Sequence, residues 1–250
     1  MRIPIGYRLD TYIQTGVRIP VTISAGYHLL LTGTTGSGKS TLLYIILYKT
    51  IQLYRVKGLD MQVCDLKNGF KALNGCMRYH SDLQAIIQTI DNFYESFQAT
   101  LKSGVTSGKH ILVIDEFLSL NNYMEALGKT DKDIKQAYQR IQMEITTLLA
   151  MGRSEGYTLI CIVQQGNAKN FSSTADRENF GNKIALGTQS KISAEMIFDM
   201  VDLSKINYQK PMRPGCGYVY VQGETVKEFV VPRLLNPKPL EEYVRNFLME

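Results

Sequence analysis

The stretch Gly33-Thr34-Thr35-Gly36-Ser37-Gly38-Lys39-Ser40 follows an apolar run, His28–Thr32, and precedes a second one, Thr41–Tyr54. It fits the pattern of a glycine, four free positions and Gly-Lys-Ser/Thr. Glycines permit backbone angles that a side chain forbids, so successive N–H groups can turn inward around an anion. The flanking runs predict a buried strand before the loop and a helix after it, whose positive N-terminal end would face the same phosphates. This context favours a phosphate-binding loop over an ordinary Gly/Ser-rich turn.

Individual positions of the loop have distinct predicted roles. Lys39 would place a point charge on the β- and γ-phosphates of a bound nucleotide, and the Ser40 hydroxyl would coordinate Mg²⁺. We therefore predict a nucleoside triphosphate as the ligand and Mg²⁺ as its cofactor. The remaining predicted nucleotide contacts come from the rest of the loop and the start of the helix: Gly33, Thr34, Thr35, Gly36, Ser37, Gly38 and Thr41.

The run His110-Ile-Leu-Val-Ile-Asp115-Glu116 is the second chemically informative stretch. Its apolar residues predict a strand buried on both faces, with carboxylates at its C-terminal end. Ligands of open α/β sheets bind at that edge, so we expect the carboxylates to face the phosphate-binding loop. Asp115 is then predicted to hold the Mg²⁺ shell through water, and Glu116 to polarise the attacking water. The alternative is an acidic pair at an exposed strand end.

The composition is that of an ordinary globular protein, because 44% of the 250 residues are hydrophobic and 20% are charged. The net charge of +5 is compatible with a polyanionic partner but does not establish one. The four cysteines form no C-x-x-C pair, so we expect a reduced, cytoplasmic location and no zinc site. No stretch approaches the ~20 apolar residues that span a bilayer, and we expect no direct membrane insertion.

The alternation of strand-like and helix-like segments predicts an α/β fold, a RecA-like P-loop NTPase with a mainly parallel sheet flanked by helices. Small β additions are predicted at both ends of the chain: an N-terminal hairpin, and a pair formed by 217–221 and 227–231. The polar stretch 120–134 is predicted to be a loop or a helix start, and 166–182 a loop. We expect a single domain over 1–250, composed of a β segment (1–27), an ATPase core (28–235) and a C-terminal helix (236–250).

Further short motifs are spread over nearly the whole chain. Val63-Cys-Asp-Leu-Lys67 is similar to a strand end that reads I-D-P-K in FtsK/SpoIIIE-type DNA translocases, with leucine in place of the proline. Asp115-Glu116-Phe117 matches the D-E-F/Y of the same family, and Gly152–Gly156 resembles its x-R-x-x-G segment. Gln164 stands where that family has the Gln of A-T-Q-R-P. The chain therefore resembles the motor domain of this family, in a compact version similar to those of mobile elements and phages.

The resemblance implies an ATP-driven motor that moves duplex DNA through a ring, hexameric in this family, with hydrolysis at subunit interfaces. Arg153 would be the arginine finger that reaches the ATP of the neighbouring subunit, the alternative being a surface arginine near the C-terminus of a helix. Gln164 would sense the γ-phosphate. Arg177, Lys191 and Lys169 would contact the DNA backbone, although each of these cations could instead be an ordinary solvated surface charge. The resemblance also allows relaxase, conjugation or packaging proteins as further partners.

The chain departs from the family pattern at Gln165, Gly166 and Glu195, where the family has Arg, Pro and Arg. Fewer cations predict weaker and less salt-dependent DNA contact, because each neutralised phosphate adds to the salt slope. Two alternatives stay open: a conjugative coupling or viral DNA-packaging ATPase, and an ATP-switched assembly protein that does not move DNA. Glu116, followed by an arginine-finger candidate, favours turnover over switching.

Overall fold

The computed structural model describes residues 1–106, 108–164, 174–198, 202–208 and 210–250, with the backbone alone at Thr174, Ala175 and Lys205. Over these residues the chain forms one sheet of ten strands with helices packed on both faces. The strands are β1 (Arg2–Arg8), β2 (Pro20–Ser24), β3 (Leu29–Gly33), β4 (Leu59–Asp65), β5 (Tyr79–His80), β6 (Lys109–Asp115), β7 (Tyr157–Gln164), β8 (Asn182–Leu186), β9 (Cys216–Val221) and β10 (Lys227–Val230). Their order across the sheet is β2-β1-β10-β9-β8-β3-β7-β6-β4-β5.

The sheet is parallel in its larger part. The strands from β8 through β3, β7, β6 and β4 to β5 all run in the same direction. The strands β9, β10, β1 and β2 extend the sheet with antiparallel pairing. This confirms the predicted mainly parallel, RecA-like sheet with small β additions from both ends of the chain.

The helices form a layer on each face of the sheet. They are α1 (Leu9–Thr15), α2 (Lys39–Tyr54), α3 (Leu83–Ser103), α4 (Phe117–Leu127), α5 (Lys132–Met151), α6 (Thr174–Glu178), α7 (Lys191–Ile197) and α8 (Lys238–Met249). Helices α2 and α8 cover one face, and α3, α4 and α5 cover the other. Among the helices of the described ranges, none is both long and apolar enough to cross a membrane.

The apolar runs that predicted the central strands divide between these two layers. In β3, Leu29 and Leu31 pack in the core beneath α2, whereas Leu30 packs in the core beneath α3 to α5. The residues of β6 and β7 alternate in the same way. A strand buried on both faces needs apolar residues at every position, which is why these strands read as unbroken hydrophobic runs.

Helix α4 corrects the prediction of a loop or helix start at 120–134. It begins at Phe117, directly after Glu116, and ends at Leu127. Its residues Phe117, Leu120 and Met124 are buried in the same core as α3 and α5. Tertiary burial of one face therefore stabilises this helix, and the polar residues that follow it form the turn before α5, which begins at Lys132.

Two shorter helices also lie where none was predicted. Helix α1 separates the strands of the N-terminal hairpin and ends at Gly16, whose left-handed backbone (φ 71°) lets its N–H bond to the Tyr12 carbonyl. Helix α6 falls inside the predicted loop 166–182, of which 166–173 lies outside the described residues. Both helices are under eight residues long, too short for hydrophobic periodicity to reveal them.

Candidate functional site

The phosphate-binding loop leaves the carboxyl end of β3, in the middle of the parallel strands. Gly33 pairs in register with Gln164 at the end of β7 and with Leu186 at the end of β8. Because the carboxyl ends of parallel strands meet at one edge of a sheet, the loop lies beside Gln164 and the end of β6. Stretches that are far apart in the sequence therefore meet at this edge.

Backbone geometry gives the loop its curved form. Gly36 and Gly38 have left-handed backbone, with φ of 78° and 98°, a region that glycine enters freely because it has no Cβ. Ser37 lies buried between them. Its N–H donates to the Thr34 carbonyl at 3.2 Å, and its carbonyl accepts from the Gly215 N–H at 2.8 Å. The turn before β9 thus braces the loop next to the first turn of α2, where N–H groups have no partner within the helix.

Lys39 is the first residue of α2 and lies half-buried over the loop. Its ammonium donates to the carbonyl of Gly33 at 2.7 Å and to that of Thr34 at 3.0 Å. Burial lowers the pKa of Lys39, while the nearby Glu116 and Asp115 carboxyls act in the opposite direction. The ammonium is therefore held within the curve of the loop, between the backbone and the acidic end of β6.

A cavity of about 400 Å³ opens between the loop and the ends of β6 and β7. Phe70 and Ile162 supply its apolar lining. A second cavity, of about 570 Å³, borders Thr34 and Ser37 on the other side of the loop. The first cavity brings together most of the predicted site residues: Thr35, Gly36, Gly38, Lys39, Ser40, Thr41, Asp115, Glu116 and Gln164.

Asp115, which lines this cavity, has a second aspartate beside it. The register of β4 with β6 places Asp65 directly beside Asp115. Burial is the main cause that raises the pKa of Asp115 to about 7, and the Asp65 and Glu116 carboxyls add to the effect. Asp65 itself is fully buried, and its Oδ2 accepts from the Phe70 N–H at 3.0 Å and the Tyr79 hydroxyl at 2.8 Å. Three acidic side chains therefore meet at this corner.

Glu116 has an unusual backbone for a residue with a side chain. Its φ of 52° and ψ of 43° are left-handed, a conformation that costs on the order of 1–3 kcal/mol and occurs often at functional sites. The side chain is buried, and its Oε2 lies 3.3 Å from Lys67 Nζ and 3.4 Å from the Ser119 hydroxyl. The carboxylate is thus held between the turn after β4 and the start of α4.

The oxygen donors of this edge fit a magnesium nucleotide. Mg²⁺ is usually held through one or two protein oxygens together with waters and substrate phosphates. The Ser40 hydroxyl and the Asp115 carboxyl line the same cavity and supply such a pair. Within the described ranges, no group of three or more His, Cys, Asp or Glu side chains is arranged to hold a metal ion. These two residues could therefore hold Mg²⁺ together with phosphate oxygens.

Arg153 lies at the opposite edge of the sheet from the loop. Its turn connects α5 to the amino end of β7, whereas the loop follows the carboxyl end of the parallel strand β3. The exposed Arg153 guanidinium packs 4.8 Å from the centre of the Tyr27 ring, and its Nη1 donates to Gln222 Oε1 at 3.0 Å. Arg153 is therefore not brought to the loop of its own chain.

Two of the three predicted DNA contacts lie in helices that follow β7 and β8, the strands on either side of β3. Arg177 is half-buried in α6, which comes after β7, and Lys191 is exposed at the start of α7, which comes after β8. Lys191 Nζ lies 3.8 Å from Glu195 Oε1. Lys169, the third predicted contact, lies outside the described residues, as do the departures from the family pattern at 165 and 166.

The turn after β4 contributes site residues for which no role was predicted. Asp65 lies beside Asp115, Lys67 pairs with Glu116, and Phe70 lines the cavity. A signal was present, because Asp65 and Lys67 follow an apolar strand as Asp115 does. What the sequence does not contain is the pairing of β4 with β6, which brings this strand end to the cavity.

The sheet, the loop and the acidic strand end define a RecA-like P-loop ATPase fold, and comparison with solved structures supports this class. The pCW3 conjugation coupling protein TcpA, solved with ATPγS, superposes with a TM-score of 0.73 at 20% identity, over 99% of this chain and 69% of that one. The type VII secretion ATPase EccC of Thermomonospora curvata gives 0.67 at 18% identity, over 94% of this chain. The genome packaging NTPase B204 of Sulfolobus turreted icosahedral virus 2, solved with ATPγS, gives 0.54 at 15% identity, over 83% of this chain and 98% of that one.

These neighbours are ATPase domains of the FtsK/SpoIIIE type, the type that the sequence motifs resemble. At sequence identities of 15% to 20%, the structural likeness establishes the fold alone. This chain spans only 26% of the length of the EccC structure and 69% of that of TcpA. The sequence matches no protein-family model and no curated protein.

Proposed function

We propose that this protein is an ATP-driven DNA translocase motor, which hydrolyses ATP at subunit interfaces of a ring, a hexamer by resemblance, and moves duplex DNA through it. One observation carries the hydrolysis of ATP in this proposal: a single cavity is lined by Lys39, Ser40, Asp115, Glu116 and Gln164. Binding of phosphate, coordination of a cation and activation of water need these residue types within reach of one another.

Each residue of the cavity has a task in hydrolysis. Lys39 binds the β- and γ-phosphates, because its ammonium lies within the curve of the loop, next to the place where the phosphates would bind. Ser40 and Asp115 would hold Mg²⁺, which would neutralise charge on the phosphates. Glu116 accepts a proton from the attacking water. Gln164, in register with Gly33, offers its amide to the terminal phosphate and reports its loss to the segment after β7.

The position of Arg153 supports hydrolysis between subunits. The strand β3 spans five residues, about 16 Å at ~3.3 Å per residue, and separates the edge that bears Arg153 from the edge that bears the loop. Arg153 can therefore complete only the site of another subunit. In that role it stabilises charge on the transferring phosphoryl group.

Contact with DNA is assigned to the segments after β7 and β8, which include Arg177 and Lys191 together with Lys169. Both segments follow strands whose carboxyl ends border the loop, so a change in the cavity can move them. Contacts of this kind to phosphates position a protein on DNA without reading its bases, as a translocase requires.

A related candidate is a coupling ATPase that hands single-stranded DNA to a conjugation channel. The likeness to TcpA over 99% of this chain favours it. A packaging ATPase is a further version of the same motor, in view of the likeness to B204. EccC, a secretion ATPase, has the same fold, so the test must also allow a partner other than DNA.

The test is the steady-state rate of ATP hydrolysis without DNA, with linear duplex and with single strands, at two salt concentrations. We expect stimulation by duplex that falls as salt rises. Glu116→Gln should lower the stimulated rate by about 10²- to 10⁴-fold, whereas Glu125→Gln, at an exposed position of α4, should retain it. Preference for single strands would support the coupling ATPase. An unchanged rate in Glu116→Gln would overturn the assignment of the site.

A further inference from the structure

We propose that Lys67 is a positioning residue, which holds the Glu116 carboxylate in the orientation from which it activates water. This role rests on the proposed ATPase function. Lys67 Nζ lies 3.3 Å from Glu116 Oε2, and the Ser119 hydroxyl donates to the same oxygen at 3.4 Å. Two donors on Oε2 fix the carboxylate plane and make Oε1 the better placed acceptor for the water.

The turn that carries Lys67 is itself held in place by the buried Asp65. The Asp65 Oδ2 accepts from the Phe70 N–H at 3.0 Å and from the Tyr79 hydroxyl at 2.8 Å, and the Asp65 carbonyl accepts from the Asn68 N–H at 3.0 Å. Asn68 has a left-handed backbone, with φ of 51°, which bends the chain directly after Lys67. These bonds fix the backbone from which the lysine extends, although half of its side chain is exposed.

The partner carboxylate is constrained from the other side. Glu116 begins α4 with a left-handed backbone, and its side chain is only 9% exposed. The backbone determines where the side chain starts, while Lys67 and Ser119 hold its end. Without them, the carboxylate could rotate about its own bonds, and small displacements of a catalytic group can slow a reaction about 10²-fold.

The local charges give Lys67 a second reason to stay near Glu116. Asp65, Asp115 and Glu116 form an acidic corner, and Lys67 lies close enough to Lys39 for its charge to add to the lowering of the Lys39 pKa, which is mainly due to burial. An ion pair between two exposed groups contributes little. Here the carboxylate is mostly buried, so the pair is less screened by solvent and salt.

The test compares three variants of the full chain in ATP hydrolysis stimulated by duplex DNA. Lys67→Met removes the charge and keeps the length, Lys67→Arg keeps the charge, and Lys71→Met is the control at an exposed position of the short helix after this turn. We expect Lys67→Met to lower kcat about 10- to 100-fold with little change in the KM for ATP or in affinity for AMPPCP. Lys67→Arg should restore much of kcat, and Lys71→Met should match the wild type.

A kcat in Lys67→Met within about twofold of the wild type would overturn the proposal. So would a loss confined to KM and AMPPCP affinity, because that pattern marks a lysine that binds phosphate equally in the ground and transition states. Failure of the proposed function has a different signature: wild-type protein would show no hydrolysis that depends on Glu116, and the role of Lys67 would fall with it.

Discussion

Asp115 and Asp65 end two neighbouring strands in register, and Glu116 follows directly. Burial, together with these two carboxyls, raises the pKa of Asp115 to about 7. A cation beside Asp115 would favour its ionised form. A bound Mg²⁺ would therefore lower this pKa, and the ionised carboxylate suits the predicted role of Asp115 in holding the ion.

The same pKa predicts how stability depends on pH when Mg²⁺ and nucleotide are removed. Unfolded Asp115 loses its proton near pH 3.8, whereas folded Asp115 keeps it up to about pH 7. The folded state then binds more protons between these values, so the free energy of unfolding falls as pH rises through this window. Because asparagine has no carboxyl to titrate, the free energy of unfolding of Asp115→Asn should not fall in this way. We expect it to be more stable than the wild type by about 1–3 kcal/mol at pH 8.

Urea unfolding in EDTA, at pH 4 and pH 8, measures this difference. At pH 4 the carboxyl is largely protonated in the folded state, so the stability advantage of Asp115→Asn should nearly vanish. An advantage of equal size at both pH values would contradict the assignment, because it would reflect packing instead of a proton.

At the scale of elements, the phosphate-binding loop depends on close contact between the end of β3 and its surroundings. A Cβ on Gly33 would lie 2.6 Å from Ser37 Oγ and 2.8 Å from the Leu186 carbonyl oxygen. We expect Gly33→Ala to lower the free energy of unfolding by about 1–3 kcal/mol and to weaken nucleotide binding at least tenfold. Gly26→Ala is the matched control, as its Cβ would meet only Ser24 Oγ, at 4.0 Å.

Urea unfolding and titration with a fluorescent ATP analogue measure both effects. If Gly33→Ala bound nucleotide as Gly26→Ala does, the loop would be more adaptable than these contacts allow, and its role as a rigid cradle would be wrong.

The sequence predicted the elements of the sheet centre better than those around it. Leu29 to Leu31 in β3 are apolar at every position because both faces are covered, and such a run has a simple signature. Helix α4 mixes apolar residues with polar ones, and buried residues such as Leu120 and Met124 stabilise it. Its existence depends on packing against α5, which local sequence does not contain.

The residues of the candidate site were likewise predicted only in part. Lys39 and Ser40 were predicted because a phosphate-binding loop requires these residue types at a set spacing. Asp115 and Glu116 were predicted because they end a buried apolar strand, at the edge where ligands of such sheets bind. Lys67 was not given a role. It reaches Glu116 because β4 pairs with β6, and strand register is a property of the assembled sheet.

At the scale of the whole molecule, opposite ends of the parallel strands carry different parts of the proposed catalytic site. The loop lies at one edge, while Arg153 lies at the other, against Tyr27. We predict that Arg153→Ala binds AMPPCP normally and hydrolyses ATP at least 10²-fold more slowly, since an arginine finger contributes about 10³–10⁵ to kcat in related chemistry. Mixing it with Lys39→Ala should restore part of the rate, because one variant supplies Arg153 and the other an intact loop.

The control is each variant mixed with itself at the same total concentration, which should stay inactive. Absence of rescue in the mixture, with both variants folded by circular dichroism, would contradict a finger that acts between subunits. It would leave Arg153 as a residue that packs on Tyr27 and binds Gln222.

Displacement of a third strand from linear duplex DNA tests the proposed translocation most directly. We predict that the wild-type protein, given ATP and Mg²⁺, removes a triplex-forming strand placed away from the duplex end. Glu116→Gln and reactions with AMPPCP should leave the triplex intact. If the wild type hydrolysed ATP in the presence of duplex but never displaced the third strand, the protein would be an ATPase that does not move along duplex DNA.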